Sequence, residues 1–276
     1  MILVTGATGT IGRYLVRALA EADVPFRALV RDAGKGEELG CEFVVGDFGN
    51  PASLASALKG VDRLLLNSGG ALPVAGQQPM VRQQTGAIDA ARTAGVSSVV
   101  KVSAWRPAPD AKLSVRGHWE IERHLEASGL RWSSLQPTGY MQNFFTGEGG
   151  FTHGDALAGP YGAGRVAYLD AYDVAACAAA LLTGPLGGGE TYALTGPEAL
   201  THEEIAAKLA IPFHDQTPQE AAEGLRAQGL PGWFVDDLLW LYADISAGSM
   251  SEVTTAVGDL TGRAPRTFAE FLANRA

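Results

Sequence analysis

The chain has 276 residues, 46% hydrophobic and 18% charged, with a formal net charge of −9 at pH 7. This composition indicates a compact protein with a sizeable core, and the acidic balance argues against nucleic acid or an anionic membrane as a partner. The sequence shows no apolar run of transmembrane length and no signal peptide, and its two cysteines, Cys41 and Cys177, lie in apolar stretches. We therefore expect free thiols and a cytoplasmic location.

The first 137 residues alternate between short apolar runs and stretches with helical spacing. The apolar runs predict strands at 2–4, 26–30, 43–45, 64–66, 99–102 and 132–135. The stretches between them predict helices at 10–22, 51–58, 79–94 and 114–127. Strands separated by helices imply crossover connections, so the sequence predicts an α/β fold with a parallel sheet. Ligands of such a sheet bind beyond the carboxyl ends of its strands.

The pattern loosens after about residue 137. A glycine-rich stretch at 147–164 predicts a loop with short strands, residues 171–182 predict a helix, and "GGGETYALTG" predicts a strand. Thr201 and Glu204 have the spacing of a capping box, and "GWFVDDLLWLYADI" predicts a further helix. We expect a core over 1–137, to which 165–195 return, and a smaller helical lobe over 138–276 that closes over the cleft.

The stretch "VTGATGTIG" places three glycines at a spacing of three between the first strand and the first helix. Gly6 would permit the tight turn, Gly9 the approach of backbone N–H groups to a pyrophosphate, and Gly12 the packing of helix on strand. The helix N-terminus adds unpaired donors and a partial positive charge. A bare structural turn is the alternative to this dinucleotide site. The predicted contacts are Gly6, Thr8, Gly9, Thr10, Ile11 and Gly12.

The residue after the second strand indicates which dinucleotide is bound. Arg31 stands about where an acidic residue would contact the ribose of NAD, and its guanidinium suits a 2′-phosphate. We expect NADP(H) to be preferred, while Asp32 beside it keeps NAD(H) possible. The alternative is that Arg31 is an ordinary surface charge.

Further cofactor contacts are expected where the other strands end. Asp47 and Phe48 follow the third strand and could meet the adenine; the alternative is an ordinary turn with a core phenylalanine. Small residues after the fourth strand would let a dinucleotide cross the sheet edge. The remaining candidates are Asn67, Ser68, Gly69, Val102 and Pro137.

A series of sequence blocks in fixed order resembles the NmrA-like family of atypical short-chain dehydrogenases/reductases, and within it the NAD(P)H:quinone oxidoreductases. The blocks include "VTGATGTIGRYLVRAL", "ALVRD", "ALKGVDRLLLNS", "HWEIERHLEASGL", "YMQNFF" and "TYALTGPEALTHEEIA". The resemblance covers essentially the whole chain. It implies a Rossmann-type, doubly wound parallel sheet with a smaller, mostly helical C-terminal lobe, and NADP binding through the glycine turn and Arg31.

Typical reductases of the wider superfamily carry a Tyr and a Lys four residues apart on the helix after the fifth strand. This chain has His118 and Glu122 at that spacing, as the quinone reductases of the family do, and Ser103 at the position of the preceding hydroxyl. A quinone needs less help from a proton donor than a ketone does. We therefore predict hydride transfer to a quinone or another planar conjugated substrate, with His118 and Ser103 as candidate catalytic residues. His118 could supply a proton near neutral pH, or it could simply fix a loop or the helix.

Residues beyond the fifth and sixth strands are candidates for contact with a flat substrate. They are Trp105, Tyr140, Asn143 and Phe144. The chain departs from the family pattern at Gln136, in place of an arginine, and at Gln142, in place of an acid. These changes indicate a lost ion pair or an altered pocket.

Other functions were weighed against quinone reduction. A tailoring enzyme for an aromatic polyketide and a non-catalytic NAD(P)-sensing regulator are both compatible with the missing Tyr–Lys pair. No metal site is expected, because His118 and Glu122 share a helix face but His124 lies on another side. We expect a monomer or a homodimer.

Overall fold

The computed structural model describes residues 1–70, 72–146, 152–153 and 155–275. Its strands, in chain order, are β1 (Ile2–Val4), β2 (Phe26–Val30), β3 (Phe43–Val45), β4 (Arg63–Leu66), β5 (Ser98–Val102), β6 (Arg131–Pro137), β7 (Thr152–His153), β8 (Ala156–Gly159), β9 (Arg165–Val166), β10 (Glu190–Leu194), β11 (Leu200–Thr201) and β12 (Phe213–Asp215). Part of the predicted glycine-rich loop, residues 147–151 and 154, lies outside the described residues.

The helices confirm the predicted alternation and add five that the sequence analysis did not predict, α2, α6, α9, α11 and α12. They are α1 (Thr10–Glu21), α2 (Ala33–Glu37), α3 (Pro51–Ala57), α4 (Pro79–Ala94), α5 (Leu113–Ala127), α6 (Asn143–Thr146), α7 (Ala171–Thr183), α8 (His202–Leu209), α9 (Pro218–Ala227), α10 (Gly232–Ser246), α11 (Ala256–Thr261) and α12 (Phe268–Ala273). The predicted capping box is present at the start of α8.

Seven strands form one parallel sheet in the order β10-β6-β5-β4-β1-β2-β3. The chain leaves β1 for β2 and β3 on one side, then crosses to β4, β5, β6 and β10 on the other. The point between β1 and β4 is therefore the switch point of a doubly wound sheet, where such folds bind their ligands. The predicted fold class is confirmed.

Apolar residues on both faces of the sheet form two separate cores. On one face, α1 and α7 pack against each other and against β1, β2 and β6, while α3, α4 and α5 cover the other face. Parallel strands of this kind are buried on both sides, which is why they read as apolar runs. The layers fix the carboxyl ends of all seven strands along one edge.

A third core lies in the C-terminal part of the chain, among α6, α8, α9, α10 and α12. A small sheet, in the order β12-β8-β7, belongs to the same region, and β9 pairs with β11. The chain returns from this region to the main sheet through α7 and β10, and α11 packs on α7. The boundary at residue 137 stays a prediction. Within the described part of the chain, no helix combines the length and apolarity needed to cross a membrane.

Candidate active site

The glycine turn after β1 has no room for a side chain at its third glycine. A Cβ at Gly12 would lie 2.6 Å from Cα of Ala7 and closer still to the carbonyl oxygen of Gly6. Gly6 has φ +65°, a left-handed conformation that favours glycine, and its carbonyl accepts a hydrogen bond from Gly9 N at 3.0 Å. The start of α1 is thus pressed directly against the turn.

The first turn of α1 offers its backbone amides to a ligand. The helix has 12 residues, begins at Thr10 after the N-cap Gly9, and has no acidic residue in its first turn. Gly9 and Thr10 are exposed, and Arg13 holds the loop by donating from Nε to the Thr8 carbonyl at 3.0 Å. Such a terminus combines free N–H donors with the positive end of the helix dipole. The cradle fits the diphosphate of a dinucleotide.

The ends of β1 and β4 meet beside this turn. Thr5 Oγ1 donates to the carbonyls of Leu65 and Asn67, at 2.8 and 3.0 Å, and accepts from Asn67 N at 2.9 Å. A Cβ at Gly6 would lie 3.0 Å from Nδ2 of Asn67. Gly69 is exposed, with no described neighbour within 4 Å of an added Cβ. At the switch point, the hydrogen bonds of Thr5 therefore fix the backbone after β4, while Gly69 beyond it remains exposed.

Arg31 stands exposed at the carboxyl end of β2. Its neighbour Asp32 is the N-cap of α2 and accepts a hydrogen bond from Lys35 N at 3.0 Å. The carboxylate that might have favoured NAD is thereby engaged in capping a helix. Arg31 and Asp32 are both exposed next to the strand end, and of the two it is the Asp32 carboxylate that is occupied by capping.

The turn after β3 shows local roles for its two candidates. Asp47 Oδ1 accepts from Gly49 N at 2.6 Å, and Phe48 is half-buried against the core of α3, α4 and α5. Contact with adenine stays a prediction. Val102 and Pro137, at the ends of β5 and β6, are buried.

A lysine that the sequence analysis did not single out lies at the centre of the site. Lys101 on β5 is fully buried, and its Nζ lies 3.2 Å from Gln84 Oε1, 3.1 Å from the Val102 carbonyl and 2.9 Å from His118 Nδ1. Burial lowers the pKa of Lys101 to about 7, against the opposing effect of the carboxylate of Glu122. An ammonium with three donors thus has three acceptors.

Glu122, one turn beyond His118 on α5, is buried with partners from β6. It accepts hydrogen bonds from Ser134 Oγ and from Nε2 of Gln136, the latter at 3.1 and 3.0 Å. Gln136 therefore binds by its amide where the family pattern has a guanidinium. We call Gln84, Lys101, His118, Glu122, Ser134 and Gln136 the buried polar network.

His118 is half-buried on α5, and its pKa is lowered well below the usual value, first by burial and then by the charge of Lys101. The imidazole is therefore neutral at pH 7. When Lys101 is charged, Nδ1 must accept from it, so the ring proton then sits on Nε2, which makes no hydrogen bond to the described residues. Any proton that His118 supplies near neutral pH must come from Nε2.

Ser103 directly follows β5 and is 5% exposed. Its backbone N donates to the Leu135 carbonyl at 2.8 Å, while its Oγ has no hydrogen-bond partner among the described residues. An unpaired buried hydroxyl is unusual, and a catalytic role for Ser103 stays a prediction.

The predicted substrate contacts differ in exposure. Trp105 and Phe144 are 6% and 4% exposed: Trp105 Nε1 donates to the Ser249 carbonyl at 3.0 Å, and Phe144 packs edge-to-face on Tyr168 in the third core. Tyr140 and Asn143 are half-buried. The structure thus brings Tyr140 and Asn143 to partly open positions and places Phe144 in the core of the C-terminal region. Substrate contact by any of the four stays a prediction.

The second departure from the family pattern, Gln142, bridges to the start of α7. Its Nε2 donates to Asp170 Oδ1 at 2.6 Å, and its Oε1 accepts from Ala171 N at 3.0 Å. His124 Nε2 lies 3.0 Å from Asp89 Oδ1 and is not part of the network. The described residues hold no group of three side chains suited to a metal ion.

The turn, the switch point and the crossover order define a nucleotide-binding protein of the Rossmann class. The chain belongs to the NmrA-like family, whose family model matches residues 1–210. It is 36% identical to an NAD(P)H azoreductase of Xenophilus azovorans, over 98% of this chain and 96% of the relative.

Two solved structures share the whole fold. A quinone oxidoreductase of Escherichia coli complexed with NADPH has a TM-score of 0.84 and 28% identity, and covers 100% of this chain and 99% of its own. A triphenylmethane reductase of Citrobacter sp. complexed with NADP(H) has a TM-score of 0.82 and 26% identity, over 99% of both chains.

Proposed function

We propose that this protein is an NADPH-dependent oxidoreductase that transfers hydride to a quinone or another planar conjugated acceptor. The observation that carries the proposal is the close packing at Gly12, where a Cβ would collide with the glycine turn. This packing holds the first amides of α1 where they can bind the expected diphosphate. Similar proteins are an azoreductase, a quinone oxidoreductase and a triphenylmethane reductase, all named for conjugated acceptors. These names support an acceptor of that class for this chain.

Bound NADPH would supply the hydride. The chain's part is to hold the diphosphate at Gly9 and Thr10, to meet the 2′-phosphate with Arg31, and to donate a hydrogen bond to the acceptor from Nε2 of His118. No Tyr-x-x-x-Lys pair is present in the sequence of α5. A conjugated acceptor suits this arrangement, since the charge left by hydride transfer is delocalised and needs only modest stabilisation.

The function is tested by following NADPH absorbance, without oxygen, on adding a panel of benzoquinones, naphthoquinones and azo dyes. We expect oxidation of NADPH with at least one class and none without acceptor. Tight binding of NADPH with no turnover across the panel would instead favour the sensing regulator.

The preference for NADPH is expected to depend on Arg31. Arg31→Glu should weaken NADPH binding by roughly 10- to 100-fold, because it replaces a charge-assisted hydrogen bond to phosphate with repulsion, and should leave NADH affinity within about threefold. Calorimetric titration with both nucleotides measures this. The matched control is Arg27→Gln, which lies within β2, the strand that Arg31 follows, but is paired with Glu42 at 2.6 Å. An equal loss for both nucleotides in the Arg31 variant would contradict the assignment.

We also propose a cytoplasmic location, supported by the two free thiols, Cys41 and Cys177. Whether the protein is a monomer or a homodimer stays a prediction.

A further inference from the structure

Lys101 is a buried charge with no role yet assigned in the proposed hydride transfer. A lysine ammonium can only donate hydrogen bonds, so each of its three neighbours must accept. For His118 this fixes Nδ1 as the acceptor and puts the ring proton on Nε2. For Gln84 it fixes Oε1 as the acceptor and turns the amide nitrogen outward.

Because Gln84 accepts from Lys101 through Oε1, its amide nitrogen is free to donate to the turn that follows β4. Its Nε2 donates to Ser68 Oγ at 2.7 Å, directly after β4 at the sheet's switch point. The Ser68 hydroxyl, having accepted one hydrogen bond, donates its own proton elsewhere, and here it donates to the Gly69 carbonyl at 3.3 Å. One ammonium therefore sets the donor direction of two side chains, His118 and Gln84.

The position of His118 suits a proton donor at the same edge. Lys101 lies two residues before Ser103, near the carboxyl end of β5, and His118 lies in the second turn of α5. The two nitrogens of an imidazole are separated by one carbon and point in widely divergent directions in the ring plane, so Nε2 points away from Lys101. Nε2 has no partner among the described residues, and the side chain is partly exposed.

We propose that Lys101 is a positioning residue for the reduction: it holds His118 as the Nε2–H tautomer and replaces the proton that His118 gives to the reduced acceptor. The inference rests on the proposed reductase function and names the group behind its proton donor. A Lys–His pair drawn from a strand and a helix would thereby take the place of the absent Tyr–Lys pair.

Electrons and protons are conserved in the proposed step. The acceptor takes two electrons and one hydrogen from NADPH as hydride, which leaves a negative charge on its oxygen or nitrogen. The N–H bond at His118 Nε2 breaks as its proton moves to the charged oxygen or nitrogen of the acceptor. At the same time, Nδ1 of His118 takes a proton from Lys101 Nζ. Nε2 then takes a proton from water, and Nδ1 returns its proton to the neutral amine of the buried Lys101, which restores both the starting tautomer and the ammonium.

The pH dependence follows from the charged form of Lys101. The charged or titratable groups of the network are Glu122 and His118 on α5, while Gln84 on α4 and Ser134 on β6 are neutral. The ammonium is the form that can relay a proton, and its pKa is lowered to about 7. Turnover should therefore be highest below this value and fall as pH rises through it.

The test compares wild-type protein, Lys101→Met and the matched control His124→Gln, which removes the other histidine of α5. In ¹⁵N-histidine NMR of the wild type, assigned with His118→Asn, we expect Nε2 protonated and Nδ1 unprotonated at pH 6, where Lys101 is charged. Lys101→Met should lose this tautomer preference, lower kcat about 100-fold, and lose the fall in activity near pH 7, with KM for NADPH within about threefold. His124→Gln should keep all three properties.

Two results would overturn the inference: His118 protonated on Nδ1 in the wild type, or an unchanged kcat and pH profile in folded Lys101→Met. If Lys101→Met does not fold, Lys101→Gln is measured in its place, and the wild-type tautomer alone still decides the first point. Absence of wild-type turnover with every acceptor would instead overturn the proposed function, so the two failures are distinct.

Discussion

Gly12→Ala is expected to weaken NADPH binding about 100-fold, equivalent to about 3 kcal/mol. The added methyl would lie 2.6 Å from Cα of Ala7 and collide with the Gly6 carbonyl, both of them backbone atoms that cannot rotate aside. Either α1 or the turn must move, and the amides then no longer converge on one anion. Overpacking of this kind also destabilises a fold by about 1–3 kcal/mol. Isothermal titration calorimetry with NADPH, together with urea denaturation, measures both effects.

Gly86→Ala is the control for this substitution. Gly86 lies inside α4, is exposed, and has no described neighbour within 4 Å of an added Cβ. Alanine there should leave NADPH binding unchanged and stabilise the protein by up to about 1 kcal/mol. If Gly12→Ala bound NADPH within threefold of the wild type, the cradle would not be the nucleotide site.

Asp173→Ala is expected to reduce the free energy of unfolding by about 3 kcal/mol. The Asp173 side chain, on α7, is fully buried and accepts from Arg263 Nη1 at 2.9 Å and from Arg266 N at 2.8 Å. The guanidinium groups of Arg263 and Arg266 also lie over the ring of Tyr172. Burial raises the pKa of Asp173 despite Arg263, so the pair adds little net energy. Removing one partner is nevertheless damaging, because it leaves a buried amide and a half-buried charge unpaired.

Chemical denaturation measures this loss, and Glu21→Ala supplies the comparison. Glu21 forms an exposed pair with Arg17 on α1, and pairs of that kind contribute little. We expect its denaturation midpoint to match the wild type. An Asp173→Ala midpoint equally close to the wild type would show that the segment around Arg263 does not depend on its attachment to α7.

The order of strands and helices could be predicted because each element is determined locally. A buried parallel strand appears in the sequence as an apolar run, as in β1 and β4. The capping box of α8 needs only the four residues from Thr201 to Glu204. The nicotinamide cofactor was also predictable, since the glycine spacing and the helix after it are contiguous in sequence. Relatives that use NAD(P)H confirm that prediction.

Features that depend on distant residues could not be predicted. The short helix α2 is a local exception: its two glycines in five residues disfavour a helix, and the cap by the neighbouring Asp32 favours it. Phe144 follows a strand end, as a substrate contact would, yet packs on aromatic rings that come later in the chain. Lys101 did leave a signal, a charge inside "SVVKVS", but its partners Gln84 and His118 come from two separate helices.

The place of β10 in the sheet has a consequence for how the protein is made. The strand next to β6 is supplied only by Glu190–Leu194, and α1 packs on α7, which also comes late. A nascent chain that has emerged from the ribosome only as far as Pro137 therefore exposes the backbone of β6 and the apolar side of α1. Both are sites where partly folded chains associate with one another. Translation must pass Leu194 before the nucleotide-binding half can close, so this interval is when a chaperone would matter most.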